Sequence, residues 1–506
     1  MALDSDGGGG GGGEGGGAKR RRVDEQGDQR EAAEADASRI SALPDELRQR
    51  ILTHLPLKDA IRTGALARGW RGLWKTRWPH RSSVEIHLRS RDAPQRELDA
   101  LGREPRPRRR LERFSLIVEE GCKLKSSELR RFIDYSAECR VEDLHVGRQT
   151  TNEPRLGFHL PFASPLLARL SLSGLSVCSI YYKGAQPFHA LEVIRLHRVS
   201  ISQAAFKKTM ALCPCLRTLD LRGCSGDGPF YSDTRIDWPG NLRSVTVAGC
   251  EGMTLDLVLV RSLRSFRYRS YSGYGYGGYS SSFRKTPFYL PADLSDLYIC
   301  LGDTIPRSCY TDYFNNGLLN DLSNLTVLTI CSYALPVVAS LSNDGATAQM
   351  PKLSDLPSLR ELQLLMFKME AVNLADIYVF FKTCQLPNLE RLFVQLPKSH
   401  FRPREGPHDE VREKPPKDAL GSLKIVKVMD FKWRSTEIKL VRFLFSKAIS
   451  LHKLLLISPK VPLGMSSVED ADFLLLKEAL ISGKVMLSES DAAATQPYHL
   501  EGFFEI

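Results

Sequence analysis

The sequence predicts an α/β protein in which a small three-helix unit precedes a repeat solenoid with a curved, mainly parallel sheet. Two observations carry that prediction. Apolar residues at helical spacing crowd into residues 38–80, the mark of short amphipathic helices. Beyond them a six-residue pattern, apolar-x-x-apolar-x-apolar, returns thirteen times between Leu111 and Leu451, at a mean period of about 28 residues. Repeats of about 20 to 50 residues signal stacked architectures, because one repeat cannot bury its own apolar face.

With 506 residues, 42% of them hydrophobic and 25% charged, the chain is long enough for a small domain and a long array. It holds nothing approaching the roughly 18 consecutive apolar residues of a membrane-spanning helix. No apolar run lies near its start either, so neither a membrane partner nor a secretory leader is expected. The eleven cysteines form no C-x-x-C pair, and Cys213 and Cys215 stand alone across one proline. Reduced, mainly structural thiols in nucleus or cytoplasm are therefore expected. The net charge of +11 is unevenly placed: fifteen Lys or Arg face six Asp or Glu between Arg62 and Arg113, giving +9 there. A basic block suits nucleic acid, a membrane surface or an acidic protein, so its neighbours must decide.

Residues 1–37 read as a disordered tail, since ten of the eleven positions from Gly7 to Gly17 are glycine. Within it Lys19, Arg20, Arg21 and Arg22 form a basic cluster, which serves either nuclear import or plain solvation. The helical unit follows over residues 38–80. Pro44 suits a first helical turn, where no N–H is needed, and Asp45 and Glu46 favour the positive end of the helix dipole. Leu47, Ile51 and Leu55 then recur every four residues with Leu52 beside them, and Pro56 ends the helix. A second helix from Lys58 carries Ala60, Ile61, Ala65 and Leu66, and a third carries Trp70, Leu73 and Trp74. So small a core would gain much of its stability by packing against a partner.

These residues resemble an F-box in the form common in plants. The matching segments are Leu43-Pro44-Asp45-Glu46-Leu47, Ile51-Leu52, Leu55-Pro56, Lys58-Asp59-Ala60, Arg62-Thr63 and Trp70-Arg71-Gly72-Leu73-Trp74. The resemblance implies docking onto a Skp-type adaptor, which bridges to a cullin scaffold carrying the ubiquitin-loaded enzyme. It assigns that contact to Leu43, Pro44, Leu47, Ile51, Leu55, Pro56, Trp70, Leu73 and Trp74. The chain departs from the family at Gly64 and Gly69, where serine and a basic residue are usual. Each glycine inside a helix costs about 0.5–1 kcal/mol.

Residues 81–110 read as a basic linker, because Pro105 and Pro107 favour an extended run for Arg106, Arg108, Arg109 and Arg110. The array follows over residues 111–420. Leading positions of the pattern are Leu111, Val141, Leu167, Leu191, Leu216, Leu242, Leu263, Leu294, Leu325, Leu359, Leu389, Leu423 and Leu451. Period and pattern match leucine-rich repeats, each a short strand with a helical or irregular return. Residues 421–506 resemble the FBD-type region found behind plant F-boxes, at Leu423, Val426, Val428, Phe431, Glu437, Leu440, Val441, Phe443, Leu444, Ala448, Leu451 and Leu454. Together the two resemblances point to the plant F-box/leucine-rich-repeat family.

No P-loop, H-E-x-x-H, G-x-S-x-G or kinase catalytic loop is present, and the eleven histidines lack metal-ligand spacing. Neither enzyme activity nor a cofactor is expected. From Ser272 to Tyr279 glycine alternates with tyrosine. Stacking on single-stranded nucleic acid would suit that composition, and so would a surface insertion between two rungs.

By the two-residue period of a strand, the fourth and sixth pattern positions enter the core while the third, fifth and seventh face the concave surface. Arg195, His197, Asp220, Arg222, Arg267 and Arg269 fall on that surface, four arginines against one acid. Arginine forks suit carboxylates and phosphates. Arg195, His197, Arg222, Arg267 and Arg269 are thus the candidate client-binding residues, and an acidic or phosphorylated client segment is expected. The expected function is the substrate-recognition subunit of an SCF-type cullin–RING ubiquitin ligase, recruiting clients for ubiquitination and degradation. An adaptor-binding scaffold or regulator without a client, and a nucleic-acid-associated protein using the basic linker, are the alternatives.

Overall fold

A computed structural model describes residues 43–53, positions 62, 63, 70 and 73, and residues 83–149 apart from 105, 107 and 109. It continues with residues 155–159, 165–177, 187–226, 236–251, 253–270, 288–302, 322–340, 355–398, 411–416, 420–458, positions 479, 481 and 483, and residues 485–488 and 495–499. The chain divides into two units, Met1–Val84 and Glu85–Ile506.

In the first unit, helix α1 spans Asp45–Thr53. Pro44 caps it: its carbonyl accepts the N–H groups of Leu47 and Arg48, so the proline stands just before the first turn rather than within it. Asp45 pairs with Arg48 one turn on, at 2.6 Å. Leu52 is fully buried and Trp70 nearly so. Positions 62, 63 and 73 are helical, and the rest of the two further expected helices lies outside the described residues.

Among the described residues of the remaining chain, fifteen strands form one sheet whose spatial order is their chain order. They are β1 (Ser83–Leu88), β2 (Arg113–Val118), β3 (Asp143–Arg148), β4 (Arg169–Ser173), β5 (Val193–His197), β6 (Thr218–Arg222), β7 (Ser244–Ala248), β8 (Ser265–Arg269), β9 (Asp296–Cys300), β10 (Val327–Cys331), β11 (Glu361–Leu365), β12 (Arg391–Gln395), β13 (Ile425–Met429), β14 (Lys453–Ile457) and β15 (Val485–Ser488). From β2 onward every neighbouring pair is parallel and in register. Each strand from β2 to β14 begins two residues after one of the leading positions read from the period. Register puts like with like: Ile194, Leu219, Val245, Phe266 and Leu297 are successive neighbours, all buried. Each such side chain contributes about 1.5–3 kcal/mol by leaving water.

The chain leaves the sheet at one repeated corner. Gly174, Arg198, Gly223, Gly249 and Asp430 each directly follow a strand, at the eighth place of the repeat, and each has positive φ. The turned N–H reaches the next rung, as Gly174 N–H does to His197 O at 2.9 Å and Gly223 N–H to Ala248 O at 2.7 Å. At 174 only glycine fits, because a Cβ would stand 2.4 Å from the carbonyl oxygen of Arg148.

Two strands escaped the period. In β1 the core positions are Ile86 and Leu88, and Ser83 holds the leading place. In β15 Val485 pairs with Leu454, which puts Ser482 in the leading place. End rungs of a stack have one neighbour and depart from the repeat consensus.

Residues 81–110 are not a linker. They hold β1 and helix α2 (Pro94–Gly102), which packs against helix α3 (Ser126–Glu138). Pro105 and Pro107 lie outside the described residues, and alternate arginines of the run meet acids of α3 and of the turn that follows it. Arg106 and Arg108 both reach Glu138, at 3.0 and 3.1 Å, and Arg110 pairs with Glu142. These acids lie some 30 residues on in the chain, which is why local composition read the run as solvated charge.

Further helices fill the returns: α4 (Gln203–Leu212), α5 (Leu335–Ser340), α6 (Ala371–Thr383) and α7 (Ser435–Lys447). In α7 the carboxylate of Glu437 accepts the N–H of Lys432 at 2.7 Å and of Arg434 at 3.3 Å, which explains an acid among the apolar FBD-like positions. Burial raises its pKa, against the hydrogen bonds and charges of Lys432 and Arg434 that lower it. A raised folded-state pKa means stability that is full below the ordinary carboxylate range and lost as pH rises through the folded value. Glu437→Gln keeps an acceptor and removes the buried charge. It is expected to raise the urea midpoint at pH 7.5 and to lose that advantage on acidification toward pH 4, a comparison that denaturant titrations at the two pH values check.

Candidate adaptor and client surfaces

Helix α1 sorts its apolar residues in two directions. Leu52 is buried, while Leu47 and Ile51, four residues apart and therefore on one face, are 46% and 40% exposed. Pro44 is exposed, Leu43 and Leu73 are half-buried, and Trp70 is buried. Leu55, Pro56 and Trp74 lie outside the described residues, as do Lys19, Arg20, Arg21, Arg22 and the glycine–tyrosine segment.

The concave face of the sheet carries the predicted client residues in two rows. Arg195, Asp220, Thr246, Arg267 and Tyr298 are neighbours in one, and His197, Arg222, Ala248, Arg269 and Cys300 in the other. Adjacent members lie about 4.8 Å apart. The face is less basic than four arginines against one acid implies. Arg222 Nε lies 2.9 Å from Asp220 Oδ1, and His197 Nε2 lies 3.9 Å from Asp220 Oδ2. Burial alone would raise the Asp220 carboxyl, but His197 and Arg222 outweigh it and hold the group below its ordinary value. Arg267 stands 3.7 Å from Asp296, an acid at the third position of the next rung. Arg195 is exposed and has no ion pair among the described residues.

From β9 to β13 the same face is covered. The strands β5 and β8 alternate between buried and accessible residues, as a sheet with one wet face does. In β9 and β11 all five residues are buried. Lying on these rungs is the segment Thr495-Gln496-Pro497-Tyr498-His499. Lys427 Nζ, with the residue fully buried, donates to Thr495 O at 2.9 Å. Arg391 donates to Gln496 O at 2.7 Å and pairs with Glu361 at 3.0 Å. The other oxygen of Glu361 accepts the Tyr498 N–H at 2.6 Å.

His499, only 7% exposed, closes the series. Its Nδ1 shares a 2.6 Å hydrogen bond with Thr329 Oγ1, its Nε2 stands 2.6 Å from Asp296 Oδ1, and its ring meets Tyr298 edge-on at 5.3 Å. Sequence reading missed this cluster. Glu361, Arg391 and Lys427 are visible as charges inside apolar strands, but nothing local pairs them with residues up to 137 positions away.

Among the described residues no cluster of His, Cys, Asp and Glu could hold a metal, and no helix is long and apolar enough to cross a membrane. The described cysteines are free thiols, and burial pushes those of Cys213 and Cys384 up to about 12.

Comparison with known proteins adds two matches. The family model for the F-box domain covers residues 40–82, and that for the FBD covers residues 412–456. An F-box/FBD/LRR-repeat protein of Arabidopsis thaliana is 24% identical over 462 residues, 86% of this chain and 93% of the relative. F-box/LRR-repeat protein 13 of the same plant is 23% identical over 468 residues, 87% of this chain and 93% of the relative. The meiotic F-box protein MOF of Oryza sativa subsp. japonica is 28% identical over 229 residues, 40% of this chain and 44% of the relative. These relatives support a recognition role of the F-box kind, and no enzyme family is indicated.

Proposed function

We propose that this chain, which carries an F-box domain and an FBD and has F-box/FBD/LRR-repeat relatives along most of its length, is the substrate-recognition subunit of an SCF-type cullin–RING ubiquitin ligase. Residues 38–80 dock a Skp-type adaptor, the repeats hold a client, and transfer follows from proximity to the loaded enzyme on the scaffold. The chain itself is non-catalytic and works in the nucleus, the cytoplasm or both. One observation carries the reading: an F-box with exposed apolar residues, Leu47 and Ile51, precedes in the chain a fifteen-stranded sheet that is parallel from β2 onward. Reconstituted transfer tests it. With adaptor, cullin and loaded enzyme present, proteins that co-purify under proteasome inhibition should be ubiquitinated by the complete complex and not when this chain is omitted.

The client side of the proposal rests on charge. Arg195 offers an exposed guanidinium to a carboxylate or phosphate without first breaking an internal ion pair. Arg195→Glu is expected to lower recovery of the client at least ten-fold while adaptor recovery stays unchanged. Quantitative affinity purification under proteasome inhibition reads both numbers, and undiminished client recovery would move recognition to another part of the array. Arg222 and Arg267 are poorer probes, because reversing either sets it against Asp220 or Asp296.

A further inference from the structure

We propose that the segment Thr495–His499 is a built-in ligand of the concave face. Rungs β9 to β13 form a groove for an extended peptide, and the chain's own segment holds that groove until another peptide displaces it.

The contacts divide as they do in a peptide-binding site. Three of them read main chain: Lys427 and Arg391 donate to the carbonyls of Thr495 and Gln496, and Glu361 accepts the N–H of Tyr498. Main-chain contacts of this kind bind an extended peptide with little regard to its side chains. Selectivity falls on two side chains, the buried Pro497 and His499. The Tyr498 residue is 54% exposed, whereas the imidazole of His499 sits among Asp296, Thr329 and Tyr298. The groove therefore asks for an extended peptide with a proline two residues ahead of a terminal histidine.

A folding brace would not need this form. Apolar side chains alone, of the kind that Pro497 supplies once, would serve better, because buried charges stabilise little by themselves. Here the buried groups are an acid, a lysine and a second acid at Glu361, Lys427 and Asp296, and the segment meets two of the three through its backbone. The segment also needs no high intrinsic affinity. Tethered to the same chain, it acts as an intramolecular competitor, at an effective concentration on the order of millimolar for a short tether. A peptide in solution must overcome that concentration to enter. That such a peptide would come from a client rests on the function proposed above; occupancy of the groove by the chain's own segment does not, and adaptor binding can fail while this inference stands.

The test uses the full-length chain and a fluorescent peptide of residues 494–500. The peptide is expected to bind the His499→Ala chain at least ten-fold more tightly than the unaltered chain, because the internal competitor is weakened. A peptide carrying alanine in place of the histidine should bind neither, and adding Arg391→Ala to His499→Ala should abolish binding. Equal binding to both chains, or none to a folded His499→Ala chain, overturns the proposal. A second measurement needs no variant. In the unaltered chain the Tyr498 amide should exchange slowly with solvent, and millimolar unlabelled peptide should accelerate it several-fold. An exchange rate that the peptide leaves unchanged would mark the segment as a fixed part of the fold and overturn the proposal equally.

Discussion

Replacing Leu43 and Pro44 with alanine, together with Ile51 by aspartate, is expected to abolish co-purification of a Skp-type adaptor and leave the solenoid's thermal transition in place. Ile51 is the informative member. At 40% exposure it gives up little of the core when changed, yet in a docked complex its side chain would be buried. Aspartate there loses roughly 1.5–3 kcal/mol of apolar burial and sets an unpaired carboxylate in the interface, a further penalty of several kcal/mol. Since about 1.4 kcal/mol is ten-fold in affinity, the combined loss is well over about 100-fold. Leu52→Asp would be the wrong experiment, because Leu52 is fully buried and its loss would disrupt the packing of α1 rather than blunt its surface. Adaptor retained by a folded triple variant would refute the assignment of residues 38–80.

The second large effect belongs to Arg108. Its side chain is 6% exposed, while that of Arg106, two residues earlier, is 72% exposed. The guanidinium donates to the carbonyls of Leu101 and Glu104 at 2.9 and 2.7 Å, and to Glu138 at 3.1 Å. It also stands 5.2 Å from the centre of the Tyr135 ring. A cation thus closes the carbonyl end of α2 and ties it to α3. Burial and the 2.6 Å hydrogen bond to Glu104 raise the Tyr135 hydroxyl's pKa, so that neighbour stays neutral. A charge-assisted bond contributes up to about 1.5–3 kcal/mol and the ring contact about 0.5–1 kcal/mol, and the desolvation of the buried guanidinium offsets a large part of their sum. Arg108→Ala is accordingly expected to destabilise the array by about 3 kcal/mol in a urea titration. Arg106→Gln and Arg110→Gln should each change it by under about 1 kcal/mol, as exposed pairs do. Lysine at 108 should recover only part, since it lacks the planar fork. Equal effects at 106 and 108 would show that the buried position carries no special weight.

How far the sequence can be read depends on the range of the interaction. Strand starts from β2 to β14 were legible because each repeat buries its leucine against copies of itself, so the signal is local and recurs. The end strands were not, since Ser83 and Ser482 stand where the pattern expects an apolar residue. The direction of the F-box side chains was half legible. A four-residue spacing groups Leu47 with Ile51, but which side faces the core was settled by Leu52 and Trp70. The arginine run and the concave face misled for one shared reason. Glu138, Glu142 and Asp296 neutralise charges that lie about 30 positions from them in the chain, and a charge count along the sequence has no access to that. The contact between Lys427 and Thr495, 68 positions apart, left no local signal at all.

The crossing segment also has a mechanical meaning. A stack whose members touch only their neighbours bends easily, because no single joint resists the sum of many small rotations. Between Asp296 on β9 and Lys427 on β13, the segment Thr495–His499 is anchored on five successive strands. It works as a chord across the inside of an arc. Straightening that stretch would stretch the chord, and tightening it would crowd the chord against Tyr298. The rungs from β2 to β8 have no such chord among the described residues, so bending is expected to concentrate there and to fall off at Asp296, where the anchored strands β9 to β13 begin.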